Sequence, residues 1–268
     1  MRGISAEGLA DSEAKVEELA SAGDAASLGS ELFAVADLLG REAALRRALT
    51  DPSTSGKTKS SLASAVFEGK LSADTIQVVA TAAGARWSSA SDFVDAIEQL
   101  AATAFVIESE SAGELSELED ELFRFGRVIL SDARLRDAIT NRQVPAEHRQ
   151  ALVRSLLEGK ASEPAVALAV HAVASRHRSV EVALEEYERV AAERQQRLVA
   201  VIRTAVELTE DQRDRLAAAL AKQYGSKIQL NVVVDPEVLG GVRVELGDDV
   251  IDGTVSARLD EAARRLAG

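Results

Sequence analysis

No cysteine occurs in the 268-residue chain, which removes disulfides, thiolate metal ligands and thiol nucleophiles at once and leaves nothing that requires an oxidising compartment. Prolines number only four, and aromatic residues make up 3% of the chain. Few helix breakers and few β-favouring rings, set against 46% hydrophobic and 28% charged side chains, favour long uninterrupted helices. The longest clean apolar run, Ala165 to Val170, is far short of the ~20 residues a membrane-spanning helix needs. The N-terminus lacks a basic flank followed by an apolar stretch, so the expectation is a soluble, cytoplasmic chain that meets a membrane only through a partner. Basic charge is in deficit as well. A net charge of −13 argues against a nucleic-acid surface, which needs a clustered basic face. The deficit is concentrated at the front: residues 1–110 carry 9 basic and 17 acidic side chains, whereas residues 111–199 carry 13 and 15.

What the chain does contain is helical periodicity. Leu9, Val16 and Leu19 mark a helix from Ile4 to Leu19, broken at Ser21-Ala22-Gly23-Asp24. Leu32, Val35, Ala36 and Leu39 mark a second over Leu28–Leu39, and a short one spans Ala43–Leu49 before Asp51-Pro52. Two more cover Lys57–Phe67 and Ser72–Ala83, the latter opened by Ser72 as a cap, and a longer one covers Ser89–Val106. Residues 31–100 laid on 121–190 without a gap are identical at seventeen of seventy positions, among them Glu31-Leu32-Phe33 on Glu121-Leu122-Phe123 and Glu68-Gly69-Lys70 on Glu158-Gly159-Lys160. An ungapped register of that length predicts a duplicated helical domain. The helix over 89–106 lies at the junction of the copies. A charged helix follows over Val180–Leu198.

The pattern changes after Val199. Ile202, Val206 and Leu208 alternate with Arg203 and Glu207 as in a strand, and Thr209-Glu210-Asp211-Gln212 has the form of a capping box opening a helix with Leu216, Ala219 and Leu220 on its apolar face. Ile228, Leu230, Val232 and Val234 alternate again until Asp235-Pro236. After Gly240-Gly241 a hairpin is expected, with Val242, Val244 and Leu246 on one face and a return through Val250-Ile251. Asp252-Gly253-Thr254 offers N-cap candidates for a last helix carrying Val255, Leu259, Ala262 and Leu266. The fold class expected is mainly α: two tandem, duplicated helical bundles over 1–106 and 86–198, then a small α/β domain (β-α-β-β-α) over 199–268.

The set Ala205-Val206-Glu207-Leu208-Thr209, Val234-Asp235-Pro236, Leu239-Gly240-Gly241-Val242 and Val250-Ile251-Asp252-Gly253-Thr254-Val255, with Arg258-Leu259 behind it, resembles the C-terminal signature of the delta subunit family of bacterial rotary ATP synthases. Its mitochondrial counterpart is the oligomycin-sensitivity-conferring protein. The resemblance reaches back through Glu121-Leu122-Phe123-Arg124-Phe125-Gly126-Arg127 and covers roughly Arg86 to Gly268. It implies a non-catalytic peripheral-stalk subunit, on the cytoplasmic face of the plasma membrane as part of the synthase. Its N-terminal bundle would hold the N-terminal helix of an alpha subunit, and its C-terminal domain would engage the end of the b stalk. The eighty-odd extra residues in front resemble the long actinobacterial form. On this reading Asp235, Pro236, Gly240, Gly241, Asp252 and Gly253 are structural residues of the docking domain. The alpha segment would lie along the first and fifth helices of a bundle, over Phe93, Ile97, Leu100, Val166, Ala169 and Val170 in the second copy and Leu9, Val16, Ile76, Val79 and Ala80 in the first, the alternative for each of these residues being internal core.

Sharper chemical readings are weak. Gly56-Lys57-Thr58 ends like a phosphate loop, but Asp51 stands where a glycine is needed and no strand precedes it. His171 and His177 are six apart, about 120° around a helix, with no cysteine beside them. Asp248, Asp249 and Asp252 lack the spacing of a calcium loop. Trp87 is expected as a packing or interface anchor. No catalytic, cofactor or metal residue is assigned. The competing function is a soluble helical adaptor that binds partner helices outside the synthase.

Overall fold

The computed structural model describes residues 3–177, 179–197, 199–224, 228–235, 238, 240–246 and 249–252. The chain is mainly α, with twelve helices and one four-stranded sheet among the described residues. It divides into two compact units, Met1–Ala191 and Ala192–Gly268.

In the first unit, α1 (Ile4–Ala22), α2 (Ala25–Arg41), α3 (Ala43–Thr50), α4 (Gly56–Phe67) and α5 (Ala73–Gly84) precede a central α6 (Ala90–Ala112). Then come α7 (Leu115–Ser131), α8 (Ala133–Thr140), α9 (Ala146–Leu157), α10 (Glu163–Ala174) and α11 (Val180–Arg197). Local chemistry sets these limits. Asp24, Ser55, Ser72, Ser89, Asp132 and Ser162 each accept a backbone N–H of the first turn that has no intrahelical partner. The helix expected over 89–106 runs six residues further. It stops at Gly113, whose φ of 76° closes a left-handed cap that other residues resist.

α6 has buried residues on every side from Leu100 to Ile107, which marks a helix enclosed by others rather than an amphipathic surface one. It packs against α1, α2, α3 and α5 before it in the chain and against α7 and α10 after it. α6 thus contacts helices from both stretches expected as bundles, and all of these helices lie within one compact unit. The helices α2 to α5 and α7 to α10 start and end ninety residues apart. Their side-chain ties correspond too. Glu31 on α2 accepts from the Ser72 N–H and hydroxyl at the head of α5, and Glu121 on α7 does the same for Ser162 at the head of α10. Lys59 donates to the Ala85 carbonyl at the end of α5, and Arg149 donates to the Val173 carbonyl at the end of α10. Gly69 and Gly159 both turn with φ 71°.

In the second unit, β1 (Val199–Thr204), α12 (Glu210–Tyr224), β2 (Gln229–Val234), β3 (Val242–Leu246) and β4 (Asp249–Asp252) form a sheet in the order β2-β1-β3-β4. β1 pairs parallel with β2 and antiparallel with β3. Ala200, Ile202, Leu220, Ile228, Val244 and Leu246 make its core. The capping box is present: Thr209 Oγ1 accepts from the Gln212 N–H while Gln212 Oε1 accepts from the Thr209 N–H. The strand expected over Val199–Leu208 is shorter, ending at Thr204, whose carbonyl accepts from the Asp235 N–H; Val206 is left 68% exposed. Val234, expected on the buried face of β2, is exposed. Asp252 belongs to β4, opposite Arg243, rather than to a helix cap. Pro236, Gly253 and the expected last helix with Val255, Leu259, Ala262 and Leu266 lie outside the described residues.

Candidate functional site

The alpha-segment floor read from the sequence falls almost wholly inside the first unit. Phe93, Ile97 and Leu100 on α6 and Val166, Ala169 and Val170 on α10 are all buried, as are Leu9 and Val16 on α1 and Val79 on α5. Only Ile76 and Ala80 on α5 keep partial exposure. The structure brings α6 against α10 and α1 against α5. The neighbourhood of α6 and α10 is already filled by α2. The Phe33 ring stacks on His171 of α10 with centroids 3.6 Å apart, and lies 5.8 Å from Phe105 of α6. Of the residues expected to shape the docking domain, Gly240 and Gly241 take left-handed φ values of 77° and 86°, and Asp235 accepts from the Val238 N–H.

Beneath that stack is a polar cluster that sequence spacing did not reveal. Glu98 of α6, 3% exposed, accepts a hydrogen bond from the Tyr187 hydroxyl of α11 at 2.9 Å and lies 3.3 Å from His177 Nε2. Tyr187 also bonds His171 Nδ1 at 2.8 Å, and Asp37 of α2 approaches His171 Nε2 at 3.8 Å. Burial by itself would raise the Glu98 pKa. The hydrogen bond from His177 and the nearby imidazoles and Tyr187 overcome it and hold the carboxyl below its usual value. The same hydrogen bond raises His177 against its own burial, and burial pushes Tyr187 well up. The two histidines thus converge on one buried carboxylate although their spacing puts them on different helical faces. Among the described residues no group of three His, Cys, Asp or Glu is arranged to hold a metal.

The other sharp motifs resolve as local structure. Gly56-Lys57-Thr58 opens α4, with Ser55 accepting the Thr58 N–H, and a helix rather than a strand precedes the loop. A Cβ at Gly56 would meet the Gly84 carbonyl at 2.4 Å, so this glycine serves close packing of α4 on α5. Trp87 donates Nε1–H to the Ala82 carbonyl and packs on Phe93, as a packing anchor does.

One open apolar concavity lies on the first unit. α7, α8 and α9 enclose a groove of about 630 Å³ lined by Phe125, Val128, Leu135, Leu152, Leu156 and Leu157. Val128 is 49% exposed, and Leu152 and Leu156 are also exposed. Arg124, Arg134 and Lys160 stand at its rim with Glu121 and Asp132. None of these groups was singled out from the sequence as a binding residue. The signal was present in the repeat, where Arg124 and Arg134 answer to Ala34 and Ala44.

Comparison with known proteins gives concordant matches. The family described as ATP synthase delta (OSCP) subunit matches residues 97–266. An ATP synthase subunit delta of Streptomyces griseus is 45% identical over 271 residues, covering 100% of both chains. That of Kineococcus radiotolerans is 47% identical over 254 residues, 94% of this chain and 92% of its own. That of Thermobifida fusca is 43% identical over 269 residues, again covering 100% of both chains. A chain of the Toxoplasma gondii mitochondrial ATP synthase hexamer aligns with 62% of this chain at 19% identity and a TM-score of 0.31, too low to bear on the fold.

Proposed function

The chain belongs to the ATP synthase delta (OSCP) subunit family, whose members are structural rather than catalytic subunits, and we propose that it acts as the peripheral-stalk connector of the synthase. Torque on the rotor would drag the catalytic head around unless a stator tied that head to the membrane. The connector joins the alpha/beta head to the membrane-anchored b stalk, on the cytoplasmic face of the membrane. The observation that carries this reading is identity above 40% with delta subunits along the full length of the chain. Two compact units, one helical and one α/β, agree with a subunit that works through two interfaces. The first unit takes the N-terminal segment of an alpha subunit and the second takes the C-terminal end of b. The acidity of residues 1–110 favours a basic alpha segment. Among the described residues no helix is long and apolar enough to cross a membrane, which agrees with attachment through the complex.

We also read residues 1–106 and 86–198 as overlapping copies of one bundle, with α6 serving both. The paired helix limits and the matching Glu31–Ser72 and Glu121–Ser162 ties support that reading. Affinity purification of the tagged chain from detergent-solubilised membranes tests the stalk role. Recovery of alpha and b together is expected; recovery of neither would refute it and favour the free adaptor.

A further inference from the structure

We propose that the α7–α8–α9 groove is a docking site for an acidic amphipathic helix, a contact beyond the alpha and b interfaces above and independent of them. The groove presents an apolar floor of about 630 Å³, a volume within the ~300–1,000 Å³ of ligand-sized sites. Leu152 and Leu156 lie one turn apart on α9, and Val128 faces them from α7, so a helix laid along α9 meets aliphatic side chains at its own period.

The rim decides the charge of the occupant. Glu121 is turned to the head of α10, where it accepts from Ser162, and Asp132 accepts the Arg134 and Leu135 N–H groups at the head of α8. Both carboxylates are thus spent on the positive ends of helices. Lys160 is likewise engaged, donating to the Leu156 carbonyl in the last turn of α9. Arg124 is not placed at a helix end: it donates Nε–H to the Asp120 carbonyl one turn back within α7. On a chain of net charge −13 a groove flanked by three cations is a local exception.

The first bundle supplies an internal control. Ninety residues earlier the same scaffold carries Ala34 for Arg124, Ala44 for Arg134 and Leu71 for Ala161. Arg124, Arg134 and the smaller Ala161 side chain therefore belong to the second bundle alone, whereas Lys160 is matched by Lys70, on helices of identical length and register. Scaffold stability does not require them, since the first bundle is built without them. Complementarity to an acidic, leucine-striped helix does.

Two 18-residue capped peptides test this, each with leucines at helical spacing and flanked by glutamates in one and by lysines in the other. They are titrated into the full-length chain carrying labelled Leu and Val methyl groups. The glutamate peptide is expected to shift Val128, Leu152 and Leu156 saturably while leaving Leu62, the counterpart of Leu152, in place. R124A/R134A installs residues the first bundle already tolerates, and should weaken that binding about tenfold, as should raised salt. R124E/R134E should turn the preference to the lysine peptide. Absence of a saturable shift, shifts centred away from the groove, equal binding of both peptides, or an unchanged affinity in the double alanine variant would overturn the proposal. None of these results touches recovery of alpha and b, so failure here is distinct from failure of the stalk role.

Discussion

Glu98 and His177 show how burial and pairing compete at a single residue. Burial pushes the Glu98 pKa up, yet His177 at 3.3 Å, His171 and Tyr187 hold it down, so its charged form is favoured in the fold and that contribution is lost only as pH falls through the lowered value. His177 is raised, chiefly by its hydrogen bond to Glu98. Its contribution is complete below the ordinary histidine value of ~6.5 and is lost as pH rises through the folded-state value. Denaturant unfolding should therefore show stability declining from pH 6 towards pH 9, and His177→Gln should flatten that decline while costing about 1–2 kcal/mol at pH 6. A slope unchanged by the substitution would remove His177 from the account. The pair Phe33 and Phe123 makes a second test at this scale. Both follow Glu-Leu in the repeated triplet, yet Phe33 is 6% exposed on the His171 ring and Phe123 is 55% exposed. Phe33→Ala should cost about 3–5 kcal/mol and Phe123→Ala no more than about 0.5.

At the scale of elements, the helices were legible because their limits depend on neighbours a few residues away. Ser72, Ser89 and the Thr209–Gln212 box are short-range devices, and each sits where the sequence pattern places it. The ties between elements were not legible. Glu31 and Glu121 cap helices that begin forty-one residues further on, and only the packing of α2 on α5 and α7 on α10 brings them there. Hydrogen bonds from Thr75 and Ser72 keep Glu31 below its ordinary pKa although burial acts the other way. Glu31→Ala and Glu121→Ala should each cost about 1–2 kcal/mol, the range for losing a charged helix cap, with the effects additive in thermal or chemical unfolding. A change under a few tenths would mean water replaces the carboxylate without loss. The β1 limit illustrates the reverse case. Period-two alternation continues through Leu208, but β1 ends at Thr204 because both partners run out there, β2 at Val234 and β3 at Val242.

For the whole molecule, the enclosed α6 has a consequence for partner number. Phe93, Ile97 and Leu100 face helices of this chain, and α2 occupies the space by α10 through Phe33. A second alpha segment would have to displace packed helices. Of the proposed floor, only Ile76 and Ala80 on α5 retain exposed apolar surface. Titration with a synthetic alpha N-terminal peptide should thus give one site per chain, perturbing α1 and α5. A stoichiometry of two would show that α6 and α10 open to admit a partner.

The sequence by itself determined where most helices begin and end, the lack of thiol chemistry, the ninety-residue register and the family. Each of these is written in short-range hydrogen bonding, composition or ordered motifs. Only the tertiary structure decided which of two like faces is covered. Phe33 and Phe123 occupy corresponding helical positions, as do Leu38 and Val128. Their local patterns cannot say that Phe33 is covered by the His171 ring of α10 while Phe123 is left exposed, or that Val128 borders an open groove. Burial is set by neighbours far along the chain, and a side chain's free energy depends on whether water or protein surrounds it.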